Sequence, residues 1–179
     1  MTNIYQLKIT LRHTRPPIWR RVQVKGDTKL GKLHRIVQEA MGWTDSHLHA
    51  FRIGRTVYGV PDPDFIDDIE NERSIRLDKI ATEGNTFIYE YDFGDGWEHD
   101  IKVEKILNAE PGVHYPVCLA GKRACPPEDC GGVPGYEYLL EILSDPQHEE
   151  YEERREWLGG EFDPEAFDID GVNRGLRER

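Results

Sequence analysis

The sequence predicts an α+β protein: a β-grasp-like roll, with a mixed sheet packed on one main helix, followed by an acidic helical lobe. Three observations carry that prediction. The segments run strand, strand, helix, then more strands. One hairpin near the middle of the chain satisfies a complete set of pairings at once. After residue 108 the composition turns to proline, cysteine and acidic residues. The expected organisation is a single domain over 1–179, with 1–108 as the β-grasp-like core and 109–179 as a Pro/Cys-rich loop and helical lobe.

Tyr5, Leu7, Ile9 and Leu11 alternate with Gln6, Lys8 and Thr10, the period of a half-buried strand. "HTRPP" interrupts it, and Ile18, Val22 and Val24 resume the alternation in a returning strand. Asp27 or Thr28 is the expected cap of a helix whose apolar stripe is Leu30, Leu33, Val37, Ala40 and Met41, with Gly42 as its stop. "HLHAFRI" and "GRTVYGV" read as a short strand pair, "PDPDFIDDIENE" (61–72) as an acidic surface loop, and "SIRLDKI" as one helical turn.

The clearest element is "TFIYEYDFGDGWEHDIKVEKI". With Gly94, Asp95 and Gly96 in the turn, Phe93 is expected opposite Trp97, Tyr91 opposite His99, Tyr89 opposite Ile101 and Phe87 opposite Val103, all on one face. Beyond the cysteine-rich loop, Asp145-Pro146 and Asp163-Pro164 are expected to open helices, the first closed by Gly159-Gly160.

Composition narrows the function classes. Apolar residues make up 37% of the chain, with four Trp, eight Tyr and six Phe, enough for a packed core. No run has the ~18 apolar residues of a membrane span, and the start lacks a signal-peptide pattern. The expected compartment is therefore cytoplasmic, without membrane association. Three cysteines cannot all pair within one chain, so they are expected as thiols. The net charge of −11 conceals a split: residues 1–60 carry 11 Lys and Arg against three acids, and the remainder carries 12 against 31. Such a split suits two halves that attract each other, or a basic surface for an anionic partner.

Four groups of residues have the chemistry of a site. Arg15, Arg20, Arg21, Lys32 and Arg35, with Trp19 for stacking, form the candidate surface for weak binding of nucleic acid or another anionic partner. His114, Cys118, Cys125 and Cys130 offer the donor types of tetrahedral zinc, but lack the close cysteine pair of structural zinc sites. His34, His47 and His49 offer three imidazoles for a catalytic metal, although Phe51 and Ile53 continue the face of His47 and His49 into the core. Asp92, Asp95, Glu98 and Asp100 surround the hairpin tip without the spacing of a calcium loop. Within "CLAGKRACPPEDCGGVPGY", Pro126-Pro127 stiffens the chain and Gly131-Gly132 lets it turn sharply. Glu128 and Asp129 lie at that bend. They are the expected carriers of any function the loop has, and the cysteines are expected to pack.

"PPIWRR", "LHRIVQEAMGW", "HLHAF", "YDFGDGWEH", "ACPPEDCGG" and "GY" occur here in the order seen in the Ri-plasmid open-reading-frame-three-like proteins. The resemblance runs from about Tyr5 to Leu176. It implies a compact α+β protein of plasmids and insertion elements, and it implies no activity. Residues and resemblance together predict a binding or interaction module for a protein or anionic partner rather than an enzyme. The alternative is a metal-dependent enzyme or zinc protein using His34, His47 and His49 or the His114–Cys130 group.

Overall fold

Alternation becomes pairing in the first two strands, β1 (Ile4–Leu11) and β2 (Trp19–Lys25), which lie antiparallel with Leu7 opposite Val22 and Tyr5 opposite Val24. The computed structural model describes residues 1–64 and 68–179. The chain continues through α1 (Leu30–Met41), β3 (His49–Ile53), β4 (Thr56–Gly59), β5 (Ile69–Asn71), a 3-10 turn (Glu72–Ser74) and α2 (Leu77–Ile80). Next come β6 (Thr86–Tyr91), β7 (Trp97–Leu107), β8 (Val117–Lys122), α3 (Gly132–Leu143), α4 (Tyr151–Leu158) and α5 (Ile169–Arg177). Among the described residues the strands form one open eight-stranded sheet, ordered β5-β4-β3-β6-β7-β1-β2-β8. The pairing of β4 with β5 is parallel and the others are antiparallel, so the sheet is mixed.

The α+β class of the sequence reading is what the structure has, in the form of a wide open sheet with, among the described residues, five helices. The apolar stripe of α1 packs on Leu7, Ile9, Val22, Phe51, Tyr89 and Ile101 in one core, and Gly42 closes the helix with φ 111°. No helix among the described residues is long and apolar enough to cross a membrane.

Local expectations fail where side-chain or backbone oxygens compete for the chain ends. Neither Asp27 nor Thr28 caps α1. The cap is Lys29, and the Leu30 amide donates to the carbonyl of Ile75 at 2.9 Å, so a neighbouring backbone segment supplies the acceptor. The β6–β7 hairpin keeps its predicted faces but slips by two residues: Tyr91 lies opposite Trp97, Tyr89 opposite His99 and Phe87 opposite Ile101. Phe93 is consequently exposed in a longer turn. The cause is Asp92, whose side chain accepts the amides of Gly94 and Asp95 at 3.1 and 3.3 Å, an Asx turn that takes Asp92 out of the strand.

The two Asp-Pro pairs make turns rather than helix starts. Asp145 and Asp163 each accept the amide two residues on, and α4 and α5 begin only at Tyr151 and Ile169. Within 61–72, Ile69–Asn71 pairs as β5, while residues 65–67 lie outside the described residues. β8, from the cysteine-rich segment, completes the sheet. Its edge is covered by Asn173 of α5, whose amide accepts from the Cys118 N–H at 2.8 Å and donates to the Cys118 carbonyl at 2.9 Å.

Candidate functional site

Three chain segments far apart in sequence meet beside Tyr91. The first is the turn after α1. Gly42 and Trp43 donate to the Gln38 carbonyl, the Asp45 amide reaches the Gln38 side chain at 2.8 Å, and the Ser46 amide donates to the Tyr91 hydroxyl at 2.9 Å. His47 follows. The second is the hairpin turn, where Asp92 holds φ 59° and its amide donates to the Leu48 carbonyl. The third is the Pro-Cys loop. Its Asp95 contacts are close: the Gly131 amide donates to the Asp95 carboxylate at 3.2 Å, and a Cβ on Gly132 would stand 2.5 Å from the Asp95 carbonyl oxygen. Only glycine lets the two backbones approach this far.

The segments aim three carboxylates at one imidazole. His47 Nε2 lies 2.7 Å from Asp129 Oδ1, 3.5 Å from Asp92 Oδ2 and 3.9 Å from Glu128 Oε2. Glu128 is held by the Thr44 amide at 2.8 Å, the Thr44 hydroxyl at 3.1 Å and the Tyr91 hydroxyl at 3.0 Å. Asp92 is nearly buried, whereas the Asp129 side chain is 64% accessible. Burial works against a charge on His47, but Asp92, Asp129 and Glu128 outweigh it and raise the imidazole pKa. Even with His47 protonated, three carboxylates leave a net charge of about −2, so the cluster favours a cation.

The other histidines do not join it. His34 and His49 stack with ring centres 3.5 Å apart. His34 Nε2 meets Asp45 at 2.8 Å and its Nδ1 meets the Tyr89 hydroxyl at 2.7 Å, while His49 Nε2 meets Glu72 at 2.9 Å. The Tyr89 hydroxyl accepts from Gln38 at 2.8 Å and can donate to His34 Nδ1, which leaves Nε2–H for Asp45. Burial and the adjacent His49 lower the His34 pKa, keeping the ring neutral. Thus the three imidazoles grouped by sequence separate into a closed buried pair and one member of a surface cluster.

The cysteines pack. His114 lies exposed in the loop before β8, and Cys118, Cys125 and Cys130 belong to or pack against the apolar core as free thiols. Burial raises all three thiol pKa values, that of Cys130 to about 12, so none is poised as a thiolate at neutral pH. Among the described residues, the group whose ligand atoms come together is His47, Asp92 and Asp129, all within 4.8 Å of one another. His114 with the three cysteines is not such a group.

The basic set is divided. Arg20 is 2% exposed and pins the end of α1, donating to the carbonyls of Ala40 at 2.8 Å and Met41 at 3.3 Å, and also to Lys122. Arg21 points to the other face of the sheet, where Glu104 holds it at 2.7 Å, and Trp19 lies between Lys8 and Arg21 there. Lys32 and Arg35 are exposed on α1, and Arg15 is exposed in the β1–β2 loop. Strand alternation and helix packing therefore place these cations on different sides of the molecule. Asp92 was visible in the sequence as one of four acids at the hairpin tip, and Glu128 and Asp129 as the loop's acidic pair. Their meeting with His47 has no sequence-local signal.

The family model for plasmid pRiA4b ORF-3-like protein matches residues 3–171. The chain is 40% identical to the uncharacterized protein y4hQ of Sinorhizobium fredii (strain NBRC 101917 / NGR234), over 98% of this chain and 92% of that one. It also resembles the crystal structure of the protein of unknown function MM3350 from Methanosarcina mazei Go1. That likeness has a TM-score of 0.88 and 42% identity, and covers 95% of this chain and 97% of the other.

Proposed function

The chain belongs to the plasmid pRiA4b ORF-3-like family, and from the convergence of three loops on His47 we propose that it is a divalent-cation-binding module. The observation that supports this reading most is the spacing of donors from different segments. Ligands about 2.1 Å from a common ion lie roughly 3–4 Å from one another, and His47 Nε2 stands 2.7–3.9 Å from oxygens of Asp129, Asp92 and Glu128. One imidazole with carboxylate oxygens suits manganese, iron(II) or zinc; calcium sites are built from oxygen alone. The ion would replace the proton on His47 and relieve the repulsion among the carboxylates. In doing so it would clamp the turn after α1, the β6–β7 turn and the Pro-Cys loop together. Tyr91 and Thr44 would act as positioning residues through Glu128.

The test is calorimetric titration of chelator-treated protein with Mn2+ and with Zn2+, alongside elemental analysis of protein purified without added metal. One equivalent is expected to bind wild type and Cys130→Val alike. Asp92→Asn/Asp129→Asn is expected to lose at least about tenfold in affinity. Stoichiometric binding that survives the double substitution, or is lost in Cys130→Val, contradicts the proposal.

A further inference from the structure

The helix α4 has a sequence that should not leave it bare. It carries Tyr151, Trp157 and Leu158; Leu158 packs against the core, but none of its eight residues is fully buried. Trp157 is 47% exposed, and Tyr138 on the neighbouring α3 is 44% exposed. Cavities flank the helix on both sides. One, of about 50 Å³, lies among Tyr138, Leu139, Arg154 and Trp157, and Arg154 Nε there is buried with no hydrogen-bond partner. The other, a cleft of about 240 Å³, is lined by Leu143, Tyr151, Arg155, Phe162, Glu161 and Asp163. It is smaller than the ~300–1,000 Å³ of small-molecule sites and is of a size to take one long side chain.

The charge around α4 is one-sided. Residues 143–165 hold nine carboxylates against Arg154 and Arg155. Arg154 is paired with Glu150 at 3.2 Å, while among the described residues Glu149, Glu152, Glu153, Glu156, Glu161 and Asp163 make no ion pair. The guanidinium of Arg155 lies 5.7 Å from the Tyr151 ring centre. The surface thus already accepts a cationic side chain on an aromatic face within the chain itself. Exposed aromatic rings among unpaired carboxylates recognise the methylenes and the charge of lysine or arginine together. Apolar faces of this kind on a soluble protein mark interaction sites.

We propose that the α4 surface docks a lysine- or arginine-rich segment of a partner protein, one basic side chain entering the cleft between Tyr151 and Phe162. This goes beyond cation binding at His47 and does not depend on it. The probe is a fluorescein-labelled (Lys-Leu-Arg)3 peptide, with (Glu-Leu-Glu)3 as control. Its anisotropy is followed with the full chain in the presence of a chelator, so the metal reading plays no part. The basic peptide is expected to bind and the acidic one not. Trp157→Ala/Phe162→Ala and Glu161→Gln/Asp163→Asn are each expected to weaken binding about tenfold. Glu110→Gln/Glu178→Gln, exposed acids elsewhere, are expected to leave it unchanged. Melting curves would check that every variant remains folded. Absence of binding, or equal loss in all three variants, overturns the proposal, the latter by showing diffuse electrostatics. So does a dimer in sedimentation that Trp157→Ala dissolves, which would assign the surface to a second copy of the chain.

Discussion

Two histidine–carboxylate clusters share the turn after α1, and they are built from the same residue types with opposite results. In the buried cluster, the largely buried His34 and His49 rings stack, each Nε2 meets one carboxylate, the exposed Asp45 and the buried Glu72, and Tyr89 and Gln38 complete the hydrogen bonds of His34. Imidazoles and carboxylates are matched two to two. In the surface cluster one imidazole faces three carboxylates, and Asp129 opens to solvent. The first is satisfied as it stands and contributes to the fold, since buried polar groups stabilise only when fully partnered. The second has an excess of negative charge that the chain does not neutralise. Residue type does not distinguish a structural histidine from a ligand; the number of carboxylates converging on one Nε2 does.

The largest expected effect lies on the buried side and is driven by pH. His99 donates from Nδ1 to the Tyr89 carbonyl at 3.0 Å and accepts the Trp43 indole N–H on Nε2 at 3.1 Å, so protonation would set two donors against each other. Full burial accordingly lowers its pKa from 6.5 to about 4. Between those values the unfolded chain binds more protons than the folded one. The stability His99 contributes is therefore complete above pH 6.5 and lost as pH falls toward 4. The loss should approach ~3 kcal/mol, and His34, shifted in the same direction, adds to it. Denaturant unfolding from pH 7.5 to 4.5 should show a steeper decline for wild type than for His99→Gln. Parallel curves would mean that His99 is not held neutral.

A smaller effect is expected from Tyr89→Phe, which deletes the hydroxyl between Gln38 and His34. Two buried polar groups lose their partner, at about 1–3 kcal/mol of folding stability. A change below ~0.5 kcal/mol would show that the buried cluster is not closed through Tyr89. The smallest effect separates the two clusters most sharply. Asp129→Asn in metal-free protein should shift stability by no more than ~0.5 kcal/mol, because it removes the one solvent-exposed member of three mutually repelling charges. A large destabilisation there would make the surface cluster structural as well.

The sequence was most informative where a residue's partners are its neighbours in a strand or helix. The stripe of α1, the αL stop at Gly42 and the apolar face of Tyr89, Trp97, His99 and Ile101 all follow from period and chirality, and all are present. It was least informative where a side chain captures backbone. Asp92 folds over the amides of its own turn and moves the hairpin register by two. Asp145 and Asp163 do the same and delay two helices. The site was half visible. Glu128 and Asp129 stood out as acids on a stiff bend, but alternation grouped His47 with His49. The two part because the strand begins only at His49, leaving His47 in a turn whose direction is set by Tyr91 and Glu128, 44 and 81 residues further along the chain. Arg20, expected at the surface, is buried for a similar reason: its acceptors are the terminal carbonyls of α1, which no local pattern reveals.

The most direct measurement is an anomalous difference map from crystals grown with excess Mn2+. A peak is expected about 2.0–2.3 Å from His47 Nε2 and from carboxylate oxygens of Asp92 and Asp129, with the 2.7 Å contact between His47 and Asp129 opened by the ion. A map with no peak at that position, and with His47 still hydrogen-bonded to Asp129, would contradict it.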